Sequence, residues 1–261
     1  MLKIRIIPTL LWKNFGLVKG IGFDSWRRVG SVLPAIKVYN QREVDELVLL
    51  DITATKDNKF PDLESIEEFS RACFVPLTIG GGIRQINQVQ KLLRAGADKI
   101  CLNSITYTHP ELITKTAQMH GAQCVVASID ARKNGEAWEC FSHNGQVPTG
   151  RDVVNHAKEM EERGAGELII TSIERDGTMM GYDLELIAAI SSKVKIPVIA
   201  SGGAGNYQHM IDAVKKAGAS AVAAASIFHF TESTPKEAKL KMEREGIPIR
   251  KNYEAAGAPK S

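Results

Sequence analysis

The chain repeats itself at about half its length, and few folds accommodate that. The run Val75-Pro76-Leu77-Thr78-Ile79-Gly80-Gly81-Gly82-Ile83 returns as Ile196-Pro197-Val198-Ile199-Ala200-Ser201-Gly202-Gly203-Ala204. Ala95-Gly96-Ala97-Asp98 returns as Ala217-Gly218-Ala219-Ser220, and Glu46-Leu47-Val48-Leu49 as Glu167-Leu168-Ile169-Ile170. Between these copies, short apolar runs alternate with amphipathic stretches of helical spacing. The runs predict strands at Ile4–Leu11, Glu46–Asp51, Pro76–Ile79, Lys99–Leu102, Cys124–Asp130, Glu167–Thr171, Pro197–Ala200 and Ala221–Ala225. Helices are predicted after them, for instance at Ile86–Arg94, Pro110–Met119, Asp152–Arg163 and Tyr207–Lys216. Continuously apolar strands signify a parallel sheet covered by helices. Two similar halves of four β–α units predict a (β/α)₈ barrel, a TIM barrel built from two half-barrels, and not an open doubly wound sheet.

The length of 261 residues suits one such domain. The barrel is expected over residues 1–253, with a disordered tail, rich in alanine, glycine and proline, over 254–261. The insertion from Lys133 to Gly150 carries Asn134-Gly135 and Asn144-Gly145, both hairpin-turn dipeptides. A net charge of +3 with dispersed basic residues argues against nucleic-acid or membrane partners. No stretch approaches the roughly 18 apolar residues of a membrane span and no signal-peptide pattern opens the chain, so a cytoplasmic location is expected. Cys73, Cys101, Cys124 and Cys140 have no metal-site spacing, and the 6 histidines fall into no ligand arrangement. No metal and no organic cofactor is expected.

In a barrel of this kind the active site lies at the C-terminal ends of the strands. Both glycine clusters, Gly80–Gly82 and Gly202–Gly205, follow a strand directly, and the next strand of each half ends in Asn103-Ser104 or Ala225-Ser226. Glycine lets backbone N–H groups approach an anion closely, so each half offers a phosphate cradle. Tight βα turns would use glycine too, but two copies at matching positions favour a ligand with phosphate at both ends.

Five motifs carry a family resemblance: Leu50-Asp51-Ile52-Thr53-Ala54, Gly80-Gly81-Gly82-Ile83, Ser128-Ile129-Asp130-Ala131, Thr171-Ser172-Ile173-Glu174-Arg175-Asp176-Gly177-Thr178 and Ala200-Ser201-Gly202-Gly203-Ala204-Gly205. From Arg5 to about Phe230 the chain resembles the HisF family, cyclase subunits of imidazole glycerol phosphate synthase. Its members take ammonia from a glutaminase and use it to cleave and cyclise a bisphosphorylated ribulosyl substrate. The resemblance implies phosphate contacts at Gly81, Gly82, Asn103, Ser104, Gly202, Gly203 and Ser226. It implies active-site roles for Asp51, Asp130, Thr171, Asp176 and Ser201, a mobile first loop carrying Lys19, and a glutaminase contact at Asp98.

Arg5, Glu46, Lys99 and Glu167 each open an apolar strand. Strand side chains alternate, so Lys99 shares a face with Asn103, and Glu167 with Thr171. If the upper residues face the barrel axis, two cations and two anions meet below them in a neutral layer, as buried charges require. In the family this layer is an ammonia gate; a purely structural seal is the other reading.

The resemblance implies paired carboxylates at the tops of the first and fifth strands. Asp130 supplies one; Leu11 stands where the other belongs and can neither give nor accept a proton. Two functions remain open. The chain resembles the HisF-like subgroup that serves surface-sugar amidation, in which a HisH-like glutaminase supplies ammonia and a separate sugar amidotransferase uses it, with cyclase activity weak or lost. Alternatively it is an active cyclase of histidine biosynthesis in which Asp130 works with Asp51 or Asp176. A phosphate-sugar isomerase on a related half-barrel repeat is weaker, because it too would need the acid missing at Leu11.

Overall fold

Eight parallel strands close on themselves with helices outside them, in a computed structural model that describes residues 3–14 and 16–250. In chain order the elements are β1 (Arg5–Lys13), β2 (Gly16–Ile21), β3 (Asp24–Gly30), α1 (Val32–Gln41), β4 (Leu47–Asp51), α2 (Leu63–Ala72), β5 (Leu77–Gly80), α3 (Ile86–Arg94), β6 (Lys99–Leu102) and α4 (Glu111–His120). The second half continues with β7 (Val125–Asn134), β8 (Ala137–Ser142), β9 (Val147–Asp152), α5 (Val153–Glu162), β10 (Glu167–Ser172), α6 (Leu184–Ser191), β11 (Val198–Ser201), α7 (Tyr207–Lys215), β12 (Ala221–Ala224), α8 (Ser226–Phe230) and α9 (Pro235–Arg244). Strands β1, β4, β5, β6, β7, β10, β11 and β12 pair in that order, and β12 returns to β1. The chain is a (β/α)₈ barrel. The expected tail from residue 254 lies outside the described residues.

Alternation along each strand divides the apolar residues between two cores. Ile7, Val48, Cys101, Val126, Ile169, Ile199, Ala221 and Ala223 point inward and fill the barrel. Their neighbours Ile6, Leu10, Leu47, Leu49, Leu168 and Ile170 point outward against the helices. The small pair Ala221 and Ala223 balances the bulk of Ile7 and Ile169, as a close-packed interior requires. Polar side chains start the helices: Asp62, Asp152, Asp183 and Asn206 each accept the N–H of the residue three positions on.

Both half-barrels begin with a strand that outruns the barrel. β1 turns back into the antiparallel pair β2–β3, and β7 into β8–β9. The second hairpin was legible in its Asn-Gly turns. The first corrects the expectation of a loop carrying Lys19: that residue lies in β2, in register with Arg27 of β3. The run from Trp12 to Ile21 lacks an Asn-Gly signal, but its alternation suits a ribbon.

Helix α9 locks the first strand in place. Ile4 donates its N–H to Pro248 O at 2.7 Å, and Asp45 accepts the N–H of Ile6 at 2.8 Å. The buried Lys239 reaches the same Asp45 carboxylate at 2.7 Å and the carbonyl of Glu43 at 2.6 Å. Burial pushes the Asp45 carboxyl up, against the pull of Lys239. Lys239→Met would leave a buried carboxylate without its counter-charge, and should cost about 3 kcal/mol in denaturant unfolding. Adding Asp45→Asn should recover part of that loss.

Candidate active site at the barrel mouth

A cavity of about 310 Å³ opens at the C-terminal ends of the strands, and three carboxylates line it: Asp51, Asp130 and Asp176. They differ in environment. Asp51, ending β4, spends Oδ1 on its own turn, accepting from Thr53 N at 2.9 Å, Thr53 Oγ1 at 2.9 Å and Ala54 N at 3.0 Å. Such an arrangement fixes the loop after the strand. Asp176, on the loop after β10, pairs with the buried Lys19 at 2.6 Å. The Gly22 N–H also donates to Asp176 O at 2.9 Å. Here the first hairpin folds down over the mouth. A Cβ on Gly177 would stand 2.2 Å from Gly20 O, so only glycine permits this approach.

Asp130 is buried on the inner face of β7, and Asn103 Nδ2 donates to its Oδ2 at 2.8 Å. Burial pushes this carboxyl up to about 7; the Asn103 bond opposes the rise and nearby Asp176 adds to it. A group titrating there is suited to both giving and taking a proton near neutral pH. Thr171 on β10 stands in register with Asp130, and Ser201 on β11 with Thr171. Leu11 of β1 lines the same cavity in register with Leu50 of β4, so the first strand contributes an apolar wall there.

The two glycine clusters have the same build. Gly81 and Gly82 have φ of 110° and 65°, and Gly202 and Gly203 have φ of 85° and 109°. A Cβ on Gly81 would lie 2.2 Å from Asp51 O, and one on Gly203 2.2 Å from Gly181 O. These glycines let neighbouring loops meet, so close packing of turns accounts for part of the signal. Beside them, Asn103 (φ −127°, ψ −92°) and Ala225 (φ −129°, ψ −67°) lead into short helical turns that start at Ser104 and Ser226. Ser226 Oγ and Asn103 Oδ1 are buried without a hydrogen-bond partner. Unpaired buried polar atoms are costly, which favours a polar ligand in the cavity. Ser104 Oγ accepts the His143 N–H at 3.0 Å.

Sequence reasoning missed the covering residues. Phe23 and Trp26 of the first hairpin, and His143 and Asn144 from the β8–β9 turn, all line the cavity. Asn144 Nδ2 donates to Ile52 O at 2.5 Å, tying the second hairpin across the mouth. The Asn144-Gly145 dipeptide signalled a turn; nothing in it signalled where the turn would land.

At the opposite end, Arg5 bonds Glu46 at 2.7 Å and Glu167 at 2.5 Å. Lys99 bonds Glu46 at 2.9 Å and also pairs with Glu167. Each cation bridges both anions, closing a neutral ring across the barrel floor. Burial works against ionisation of Glu167, but Arg5 and Lys99 outweigh it and hold the carboxyl below its ordinary value. Asp98 is exposed near this end, with Oδ2 accepting the Leu77 N–H at 2.8 Å. Among the described residues no helix is long and apolar enough to cross a membrane, and no His, Cys, Asp and Glu cluster could hold a metal.

The family model for histidine biosynthesis proteins matches residues 5–234. The chain is similar to the imidazole glycerol phosphate synthase subunit HisF of Hyphomonas neptunium, with 47% identity over 250 residues, covering 96% of this chain and 99% of that relative.

The elevated Asp130 value fixes the sign of a stability effect. Its folded-state pKa lies above that of an unfolded carboxylate, so its contribution is complete below about pH 4 and is lost as pH rises toward 7. Asp130→Asn removes that loss. Relative to the parent, the variant should gain about 2–4 kcal/mol between pH 4 and pH 8, read by denaturant unfolding at both values.

Proposed function

Because the chain belongs to the histidine biosynthesis protein family, we propose that it is a HisF-like synthase subunit of a cytoplasmic glutamine amidotransferase complex. A HisH-like glutaminase docks on the barrel floor near Asp98 and releases ammonia there. The ring of Arg5, Glu46, Lys99 and Glu167 admits it. The apolar interior of Ile7, Val48, Cys101, Val126, Ile169 and Ile199 suits neutral ammonia and excludes ammonium, whose burial without a counter-charge is costly. At the mouth the two glycine cradles, with Asn103, Ser104 and Ser226, hold a bisphosphorylated small molecule, and backbone N–H groups carry much of the anion contact.

Cyclisation calls for proton transfers on both sides of the bound substrate. Asp130, held by Asn103 and titrating near neutrality, can perform one. Leu11 performs none. The observation that carries the proposal is this apolar side chain on the first strand of a mouth whose fifth strand keeps its acid. The cyclase step is accordingly weak or lost, and the ammonia serves a further enzyme, a sugar amidotransferase acting on a surface polysaccharide.

One observation favours a second reading, an active imidazole glycerol phosphate synthase cyclase of histidine biosynthesis. Asp176 couples to Asp130 across the cavity, so that acid could share the work with it.

Ammonia-dependent turnover of the bisphosphorylated ribulosyl substrate separates the two. The parent should show little or none, and Leu11→Asp should gain about 10²-fold or more, the usual worth of a positioned acid or base. Brisk turnover by the parent, with no gain in the variant, would sink the amidation reading and leave the cyclase.

A further inference from the structure

We propose that Thr106 and His156, which lie behind the active site and do not line its cavity, are positioning residues that set the hold of Asn103 on Asp130. Thr106 Oγ1 donates to the Asn103 carbonyl at 2.7 Å. With its hydrogen spent, the same oxygen accepts from His156 Nε2 at 3.1 Å, so the imidazole carries its proton on Nε2. Asn103 Nδ2 then donates to Asp130 Oδ2 at 2.8 Å. His156 of helix α5 and Thr106 thus hold the main chain of Asn103, which also accepts the Thr106 N–H at 2.8 Å, and the side chain of that residue holds the one carboxyl on the inner face of β7.

Three further observations support it. Thr106 and His156 are almost fully buried, at 1% and 2% exposure, where a polar pair is costly unless it does something an apolar pair could not. The internal repeat supplies the comparison. Asn103-Ser104 corresponds to Ala225-Ser226, which puts Phe228 at the position of Thr106. Phe228 is buried at 4%, so the fold accepts an apolar side chain under this turn. The half that uses one carries Ala225, which has no side-chain amide to aim. Lastly, the pair is braced from outside. The His156 ring stacks on Tyr107 at 4.5 Å between centroids, and Arg151 donates to Tyr107 O at 3.3 Å while pairing with Glu159 at 2.9 Å.

The charged groups facing His156 are Glu159, Arg151 and Arg163, and burial pushes its pKa down to about 4, which keeps the ring a neutral donor. Titratable groups coupled to Asp130 are Asp176, with its partner Lys19, and Cys101, Tyr107 and Cys140. A looser Asn103 weakens a bond that favours the ionised carboxyl, so Asp130 should titrate at higher pH.

The inference rests on the reading of Asp130 as the proton-transferring group, but its test does not need turnover. Carboxyl ¹³C NMR of the labelled full chain follows Asp130 through its titration, beside thermal unfolding. Thr106→Val should raise the midpoint by roughly half a pH unit or more, and Thr106→Ser should restore it. His156→Leu should raise it likewise, and His156→Gln, which retains an N–H donor, should raise it less. An Asp130 midpoint that stays put in Thr106→Val while the melting temperature falls would overturn the proposal and leave a packing role. If Thr106→Val fails to fold, equal midpoints in His156→Leu and His156→Gln would overturn it just as well. A shifted midpoint in a chain that never turns over substrate supports the proposal and counts only against the cyclase reading of Asp130.

Discussion

Everything in this molecule depends on closing a period-two strand pattern into a ring. Once β12 pairs with β1, every second residue of eight strands faces a single axis, and that axis has room for very few side chains. The interior therefore sorts by height into a charged floor, an apolar middle and a polar mouth. Each layer constrains the next. A charge in the middle would have no partner within reach. The floor tolerates four charges only because each cation bridges both anions, which leaves no net charge for the apolar middle to bear.

The same closure explains what the sequence revealed and what it hid. The eight barrel strands, the helices named from their spacing and the half-length repeat are local or periodic, and they lie within a few residues of where their patterns put them: Ile86–Arg94 is α3 to the residue. Inward-facing charges were legible too, because alternation along one strand fixes which of its residues share a face. Interactions between distant segments were not. Lys19 meets Asp176 across 157 positions, and Asn144 meets Ile52 across 92. Each contact depends on how far a hairpin bends over the mouth, which is set by the twist and bulges of a two-stranded ribbon and not by composition. The place of His156 was hidden for another reason: a histidine in an amphipathic helix reads as a boundary residue until the turn beneath it is known.

The repeat also shows where the two halves were free to diverge. Cradles and hairpins occur in both, because the fold or a ligand with two like ends would impose them twice; of the floor only Glu46 and Glu167 repeat, since Lys99 corresponds to the buried Ala221. Leu11 and Asp130 break the correspondence, as do Ala225 against Asn103 and Phe228 against Thr106. These differences cluster around one carboxyl. Beside Asp130, the turn after the neighbouring β6 carries the polar Asn103 and Thr106, backed by His156 of α5; beside Leu11, the turn after the neighbouring β12 carries Ala225 and Phe228 in their places. A barrel that needed both strand tops for chemistry would gain from supporting both.

That asymmetry bears on why Asp130 persists beside Leu11. Burying a carboxyl whose pKa is raised to about 7 lowers stability at neutral pH, and the fold has apolar solutions for such a position. Leu11 is one of them, at the mouth of the same barrel. A carboxyl retained at that cost, with an amide aimed at it and a buried histidine–threonine pair behind the amide, is maintained for an interaction outside the folding of the chain. The cavity in front of it supplies the place for one. On the function proposed above, Leu11 takes the place of a partner in proton transfer, while the cavity keeps its glycine-built rim and the carboxyls of Asp51, Asp130 and Asp176.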